Sequence, residues 1–122
     1  MLYEKDRRRL LRVEVKWPAT IFTSHGQTHG ETKSISQAGV SIYCRELPPM
    51  GRECRLEIQP PNYRPIKVSA KPIWALETGL MEGPSGFIVG TEFEYISEDD
   101  VHYLGDVIAD RQGKSSKYKS LI

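Results

Sequence analysis

Arg8 and Arg12 stand four positions apart in the run Lys5-Asp6-Arg7-Arg8-Arg9-Leu10-Leu11-Arg12, just ahead of the first alternating segment. A guanidinium can fork onto phosphate oxygens, grip the O6/N7 edge of a guanine, or lie flat on a purine. Two of them on a flexible arm can close on one anionic nucleotide from both sides. A basic cluster alone reads first as a solvated tail. It gains meaning from a second segment, Ser34-Ile35-Ser36-Gln37-Ala38-Gly39, where one strand pattern ends and the next begins.

The elements that must carry these residues are strands. Val13, Val15, Trp17, Ala19 and Ile21 alternate with Glu14, Lys16 and Thr20, a period of two. His25-Gly26-Gln27 predicts a turn and residues 28–36 the returning strand, with His25 and His29 exposed on the hairpin. Val40, Ile42 and Cys44 resume the alternation after Gly39, and Cys54, Leu56 and Ile58 form the inner face of a fourth strand. A fifth follows with Ile66, Val68, Ala70, Trp74 and Leu76 in phase, and Pro72 predicts an edge or a bulge within it. The last strand has Phe87, Val89, Thr91, Phe93 and Tyr95 on one side, after a glycine-rich loop from Glu77 to Gly86. Trp17, Trp74, Phe87 and Phe93 are all expected in the core. Short strands at this spacing predict an all-β domain, a small closed barrel or a sandwich.

Ser97-Glu98-Asp99-Asp100 then changes the pattern to that of a helix start, a capping serine followed by acids at the positive end of the dipole. Val101, Leu104 and Ile108 give one apolar stripe to lay on the strands, and the helix should stop near Gln112-Gly113. Tyr103 and Val107 form a second stripe, an interface for a weak homodimer if it stays exposed and otherwise the mark of a monomer. Residues 1–12 are therefore assigned to an arm, 13–112 to the strand domain with its helix, and 113–122 to a flexible tail.

Composition excludes several classes. The chain of 122 residues leaves room for one domain. Nothing in it approaches the ~20 apolar residues of a membrane span, and the charged start lacks the apolar stretch of a signal peptide. It is read as cytoplasmic, without membrane insertion. Seventeen Lys+Arg balance sixteen Asp+Glu to a net +1, unlike the broad basic face of a general nucleic-acid binder. Cys44 and Cys54 are expected as free, core-facing thiols, since they lack the spacing of a zinc site. Glu98, Asp99 and Asp100 are accounted for as first-turn helix charges, and no catalytic signature is present. The expectation is a protein that is not an enzyme and holds no metal or cofactor.

Together, Arg8-x-x-x-Arg12 and the segment Ser34 to Gly39 resemble the two-part signature of the PilZ family of bacterial cyclic-di-GMP receptors. That family carries RxxxR in an N-terminal arm and [Asp/Asn]-x-Ser-x-x-Gly on the barrel wall. Arg8, Arg12, Ser36 and Gly39 match, while Ser34 stands where Asp or Asn is usual. The resemblance continues through Trp74 and Gly90-Thr91-Glu92-Phe93. It implies a six-stranded antiparallel β-barrel with a flexible basic N-terminal arm and one C-terminal α-helix. It also assigns cyclic-di-GMP as ligand, with Arg8 and Arg12 on its phosphates and guanines and Ser36 offering a hydroxyl. Gly39 would allow a tight chain path near the base, because it lacks a Cβ and tolerates positive φ. Arg7 is either a solvent-exposed arginine or a contact to a second, stacked ligand.

A carboxylate at position 34 would accept two hydrogen bonds from a guanine, where a hydroxyl is one compact acceptor. The substitution is expected to cost about 1–2 kcal/mol, on the order of tenfold in affinity, without abolishing the site. The resemblance then implies a receptor or adaptor whose arm orders on binding and signals to a separate protein in motility, pilus or exopolysaccharide control. The alternative is a degenerate PilZ-like interaction module that does not bind nucleotide. A weaker rival is single-stranded nucleic-acid binding through Arg7–Arg12, which the near-neutral charge disfavours.

Overall fold

The computed structural model describes residues 11–79 and 85–112. Arg7, Arg8 and the tail 113–122 lie outside the described residues. Strands run in the order β1 (Val13–Glu14), β2 (Pro18–Thr23), β3 (Gly26–Ile35), β4 (Gly39–Cys44), β5 (Cys54–Ile58), β6 (Ile66–Thr78) and β7 (Gly86–Tyr95), followed by α1 (Glu98–Arg111). Neighbours follow the order β1-β3-β2-β5-β6-β7-β4, and β4 returns to pair with β3. That last pairing closes six antiparallel strands, β2 to β7, into a barrel.

β1 and β2 lie along the same side of β3 and are two halves of the expected first strand. The ladder breaks between them at Val15–Trp17, where the Thr32 hydroxyl accepts from the Trp17 N–H at 2.9 Å and donates to the Val15 carbonyl. A buried threonine thus supplies the partners that the irregular backbone would otherwise lack. Beyond it the tight β2–β3 hairpin turns at Ser24-His25, with Gly26 at φ 121, a conformation open to glycine at little cost. His25 and His29 are exposed there, as expected.

The inward phases of the first, third and fourth predicted strands all lie in the core. Val13, Val15, Trp17, Ala19 and Ile21 are buried, as are Val40, Ile42, Cys44, Cys54, Leu56 and Ile58. Both cysteines are free. Two predicted phases fail partway, each at a bulge. In β6 the register steps from Pro72↔Thr91 to Trp74↔Gly90, leaving Ile73 as the extra residue. One extra residue flips every later side chain to the other face. Trp74 is therefore 47% exposed rather than core, and Leu76 is exposed with it. In β7 the register steps from Phe93↔Ala70 to Tyr95↔Ser69, leaving out Glu94, and Tyr95 turns outward. Phe87 and Phe93 are partly buried against the core.

Helix α1 starts as its sequence dictates, with the Ser97 hydroxyl accepting from the Asp100 N–H at 3.2 Å. Leu104 and Ile108 face the barrel and are buried. The helix lies over the barrel end where β2, β4 and β6 begin and β3, β5 and β7 finish. Four hydrogen bonds hold it there. Asp100 accepts from the Tyr63 hydroxyl at 2.8 Å and from Arg64 at 2.9 Å, on the loop before β6. Gln37, in the β3–β4 turn, donates to the Val101 carbonyl at 2.9 Å. Arg111 donates to the Glu14 carbonyl at 3.1 Å. Asp100 is thus more than a first-turn charge. Tyr103 stacks on Tyr63 with ring centroids 3.7 Å apart and, with Val107, packs on the core, so the second stripe is partly buried.

Candidate functional site

The pleat of the closed wall sorts its residues into two rows at the level where the arm enters. Facing inward are Val13, Ile35, Val40 and Thr91, linked strand to strand. Facing outward, one step along, are Glu14, Ser34, Ser41, Gly90 and Trp74, each paired in register with the next. Successive side chains of a strand point to opposite faces, so registered partners share a face. Lys33 is the extra residue of a bulge in β3, and it is this bulge that brings Ser34 outward opposite Ser41.

Ser34 and Ser41 are bonded to each other. Their hydroxyls lie 2.9 Å apart, and the Ser34 N–H donates to the Ser41 hydroxyl at 3.2 Å. Beside them is a cleft of about 400 Å³ lined by Glu14, Lys16, Lys33, Ser34, Ser41 and Ile88. Two lysines against one glutamate bias it toward an anion. Trp74 stands at the far end of the row, its indole lying directly over Gly90, where a Cβ would overlap the ring. Any side chain at position 90 would lift the ring away from the wall.

Ser36 and Gly39 close the turn that joins β3 to β4. The buried Ser36 hydroxyl accepts from the N–H groups of Ala38 at 3.0 Å and Gly39 at 3.2 Å, and the Ser36 N–H donates to the Gly39 carbonyl at 2.9 Å. This hydroxyl therefore shapes the turn. Gly39 is not among the described glycines with positive φ, which are Gly26, Gly51 and Gly79. Its missing Cβ matters for another reason: β7 passes so close that a Cβ would overlap the Thr91 carbonyl.

Arg12 precedes β1, and one step beyond the Val13↔Ile35 pair brings it level with Ser36. Partial desolvation lowers its pKa from the ordinary arginine value, though it remains a cation at neutral pH. Arg12, Ser34, Ser36 and Gly39 are thus gathered at one corner of the wall, while Arg7 and Arg8 lie outside the described residues. Two residues of the outward row are tied to it only by the structure. Glu14 joins it through strand register, and Trp74 through the β6 bulge. Pro72 was the signal for the bulge, but its effect on phase is visible only in the ladder. Among the described residues, no group of three or more His, Cys, Asp or Glu is placed to hold a metal ion. No described helix is long and apolar enough to cross a membrane.

Comparison with known proteins adds to this geometry. The PilZ domain family model matches residues 6–110. Among solved structures, the Bacillus subtilis inhibitor of motility (MotI/DgrA) superposes with a TM-score of 0.73 at 19% identity, over 92% of this chain and 56% of that one. The PilZ domain of YcgR from Escherichia coli, solved with c-di-GMP, superposes with a TM-score of 0.71 at 13% identity, over 95% of this chain and 99% of that one. The K. pneumonia MrkH-c-di-GMP complex gives 0.68 at 16% identity, over 89% of this chain and 56% of that one. The chain spans little more than half the length of MotI and MrkH, and nearly all of the YcgR domain. A comparison with curated proteins gives no match.

Proposed function

The chain belongs to the PilZ domain family, and from that premise we propose that it is a cyclic-di-GMP receptor whose arm closes over the ligand on the outer barrel wall. The observation that supports this reading is the cleft beside Ser34 and Ser41, which Glu14, Lys16 and Lys33 also line, with Arg12 two positions ahead of Glu14 in the chain. Arg8 and Arg12 take the phosphates and the guanine edges through charge-assisted bonds. Lys16 and Lys33 add positive charge to the cleft, and the exposed indole of Trp74 offers a flat apolar face to a base. Ser36 and Gly39 serve by holding the turn that sets the level of the arm.

Binding would order the arm against the wall through contacts made only in the closed state. The output is a contact with a separate protein in motility, pilus or exopolysaccharide control, and the protein works in the cytoplasm as a binder rather than an enzyme. Arg7 would be the contact to a second, stacked ligand.

Calorimetric titration with cyclic-di-GMP, with GTP as control and an Arg12→Ala variant alongside, tests the proposal. Saturable heat that the variant loses supports it, and a stoichiometry of one ligand per chain removes the Arg7 contact. Absence of heat with the wild type favours the other reading, a PilZ-like interaction module without nucleotide. One observation speaks for that module: the Ser34 hydroxyl is already engaged by Ser41.

A further inference from the structure

We propose that Glu14 supplies, from the neighbouring strand, the carboxylate that position 34 lacks, and so reads the guanine edge of the ligand. This rests on the receptor reading above. Glu14 and Ser34 are direct register partners, so their Cβ atoms lie about 4.5–5.5 Å apart on one face. Both line the same cleft. A glutamate is one methylene longer than an aspartate, and that length suits an approach from the next strand over.

The backbone that presents Glu14 is fixed from two directions. Its own strand is laddered to β3, and its carbonyl accepts from Arg111 at 3.1 Å. A carboxylate held in this way can accept from both guanine N1–H and the N2 amine through two oxygens, whereas the Ser34 hydroxyl, bonded to Ser41, offers a single oxygen. Adenine has neither donor on that edge. Glu14 therefore adds, at the N1/N2 edge, a preference for guanine over adenine to the one Arg8 and Arg12 exert at O6/N7, while the lysines add charge for the phosphates of either.

The electrostatics make the test sharp. A cyclic dinucleotide carries two negative charges, so a glutamate that merely sat nearby would weaken binding, and its removal would tighten it. A glutamate that accepts guanine donors has the opposite effect for that ligand alone. The full chain is titrated by calorimetry with cyclic-di-GMP and with cyclic-di-AMP, as wild type, Glu14→Gln, Glu14→Ala and the double variant Glu14→Ala/Ser34→Asp. Thermal melts alongside verify that the substitutions, at exposed Glu14 and half-buried Ser34, leave the fold intact.

The expected result is a loss of roughly tenfold or more for cyclic-di-GMP in both single variants. Cyclic-di-AMP should bind as before or more tightly, and the added aspartate should restore the guanine preference. Single variants that bind cyclic-di-GMP as tightly as the wild type, or better, overturn the assignment of Glu14 and leave the receptor reading intact. A wild type that binds no cyclic-di-GMP removes the receptor reading and this inference together, and it does so before any variant is made.

Discussion

Gly39 and Thr91 meet backbone to backbone, so closely that a Cβ on residue 39 would overlap the Thr91 carbonyl. On either side of this contact the Phe93 N–H donates to the Ala38 carbonyl at 2.8 Å and the Thr91 hydroxyl to the Val40 carbonyl at 2.9 Å. The approach of β4 to β7 is therefore pinned around the glycine. Gly39→Ala is expected to destabilise the fold by about 1–3 kcal/mol through overpacking. Urea denaturation should show a lower midpoint with an unchanged slope. An unchanged midpoint together with lost nucleotide binding would instead make Gly39 a ligand residue.

Asp100 and Arg64 form one ion pair with unequal members, since the side chains are 6% and 54% exposed. Removing the exposed cation should cost less than about 1 kcal/mol. Asp100→Ala leaves the Tyr63 hydroxyl without its acceptor and undoes the helix anchor, at an expected cost of about 1–3 kcal/mol. Thermal melts of the two variants give the comparison. Equal shifts would mean that the anchor is only a surface pair.

Stability should fall in alkali. Desolvation first, then the charges of Glu53 and Glu94, push the Cys54 thiol from 9.0 up to about 11. Cys44 is raised by burial and by Glu46. Tyr63 is raised by desolvation and by its hydrogen bond to Asp100, and Tyr103 by desolvation. The folded state holds these protons more tightly than the unfolded chain does. For Cys54 the contribution is whole below about pH 9 and is lost as the pH rises through about 11, and the other three groups act in the same direction. The urea midpoint, followed across that range, should decline. A flat profile would show that the thiols titrate as they do in the unfolded chain.

Fluorescence separates the two tryptophans. Trp17 is 5% exposed and Trp74 47%. Cyclic-di-GMP should change the wild-type emission, and Trp74→Phe, with Trp17 left alone, should lose that change. A response that persists in the variant would take the base away from the indole.

Inward strand phases were largely legible in the sequence, because burial enforces alternation residue by residue. Val13 to Ile21, Val40 to Cys44 and Cys54 to Ile58 all lie as their pattern predicts. The helix start was equally legible, since Ser97 and its acids act locally. Trp74 and Tyr95 were misplaced because each follows a bulge, and a bulge belongs to a pair of strands rather than to either sequence. The same limit hid the partners of Asp100, which lie 36 and 37 positions away. Glu14 read as an ordinary outward residue until register set it beside Ser34. Motif matching found one half of that pair, and only the ladder supplies the other.

The alternation of the wall at Val13–Glu14 and Val40–Ser41 keeps two vocabularies apart. Residues that spell the barrel point one way, and residues that could spell a ligand point the other, each written on every second position. An outward letter on one strand stands beside one on the next, as Glu14 stands beside Ser34, and neither enters the inward text. A wall built like this lets a receptor change what it recognises without relearning how to fold.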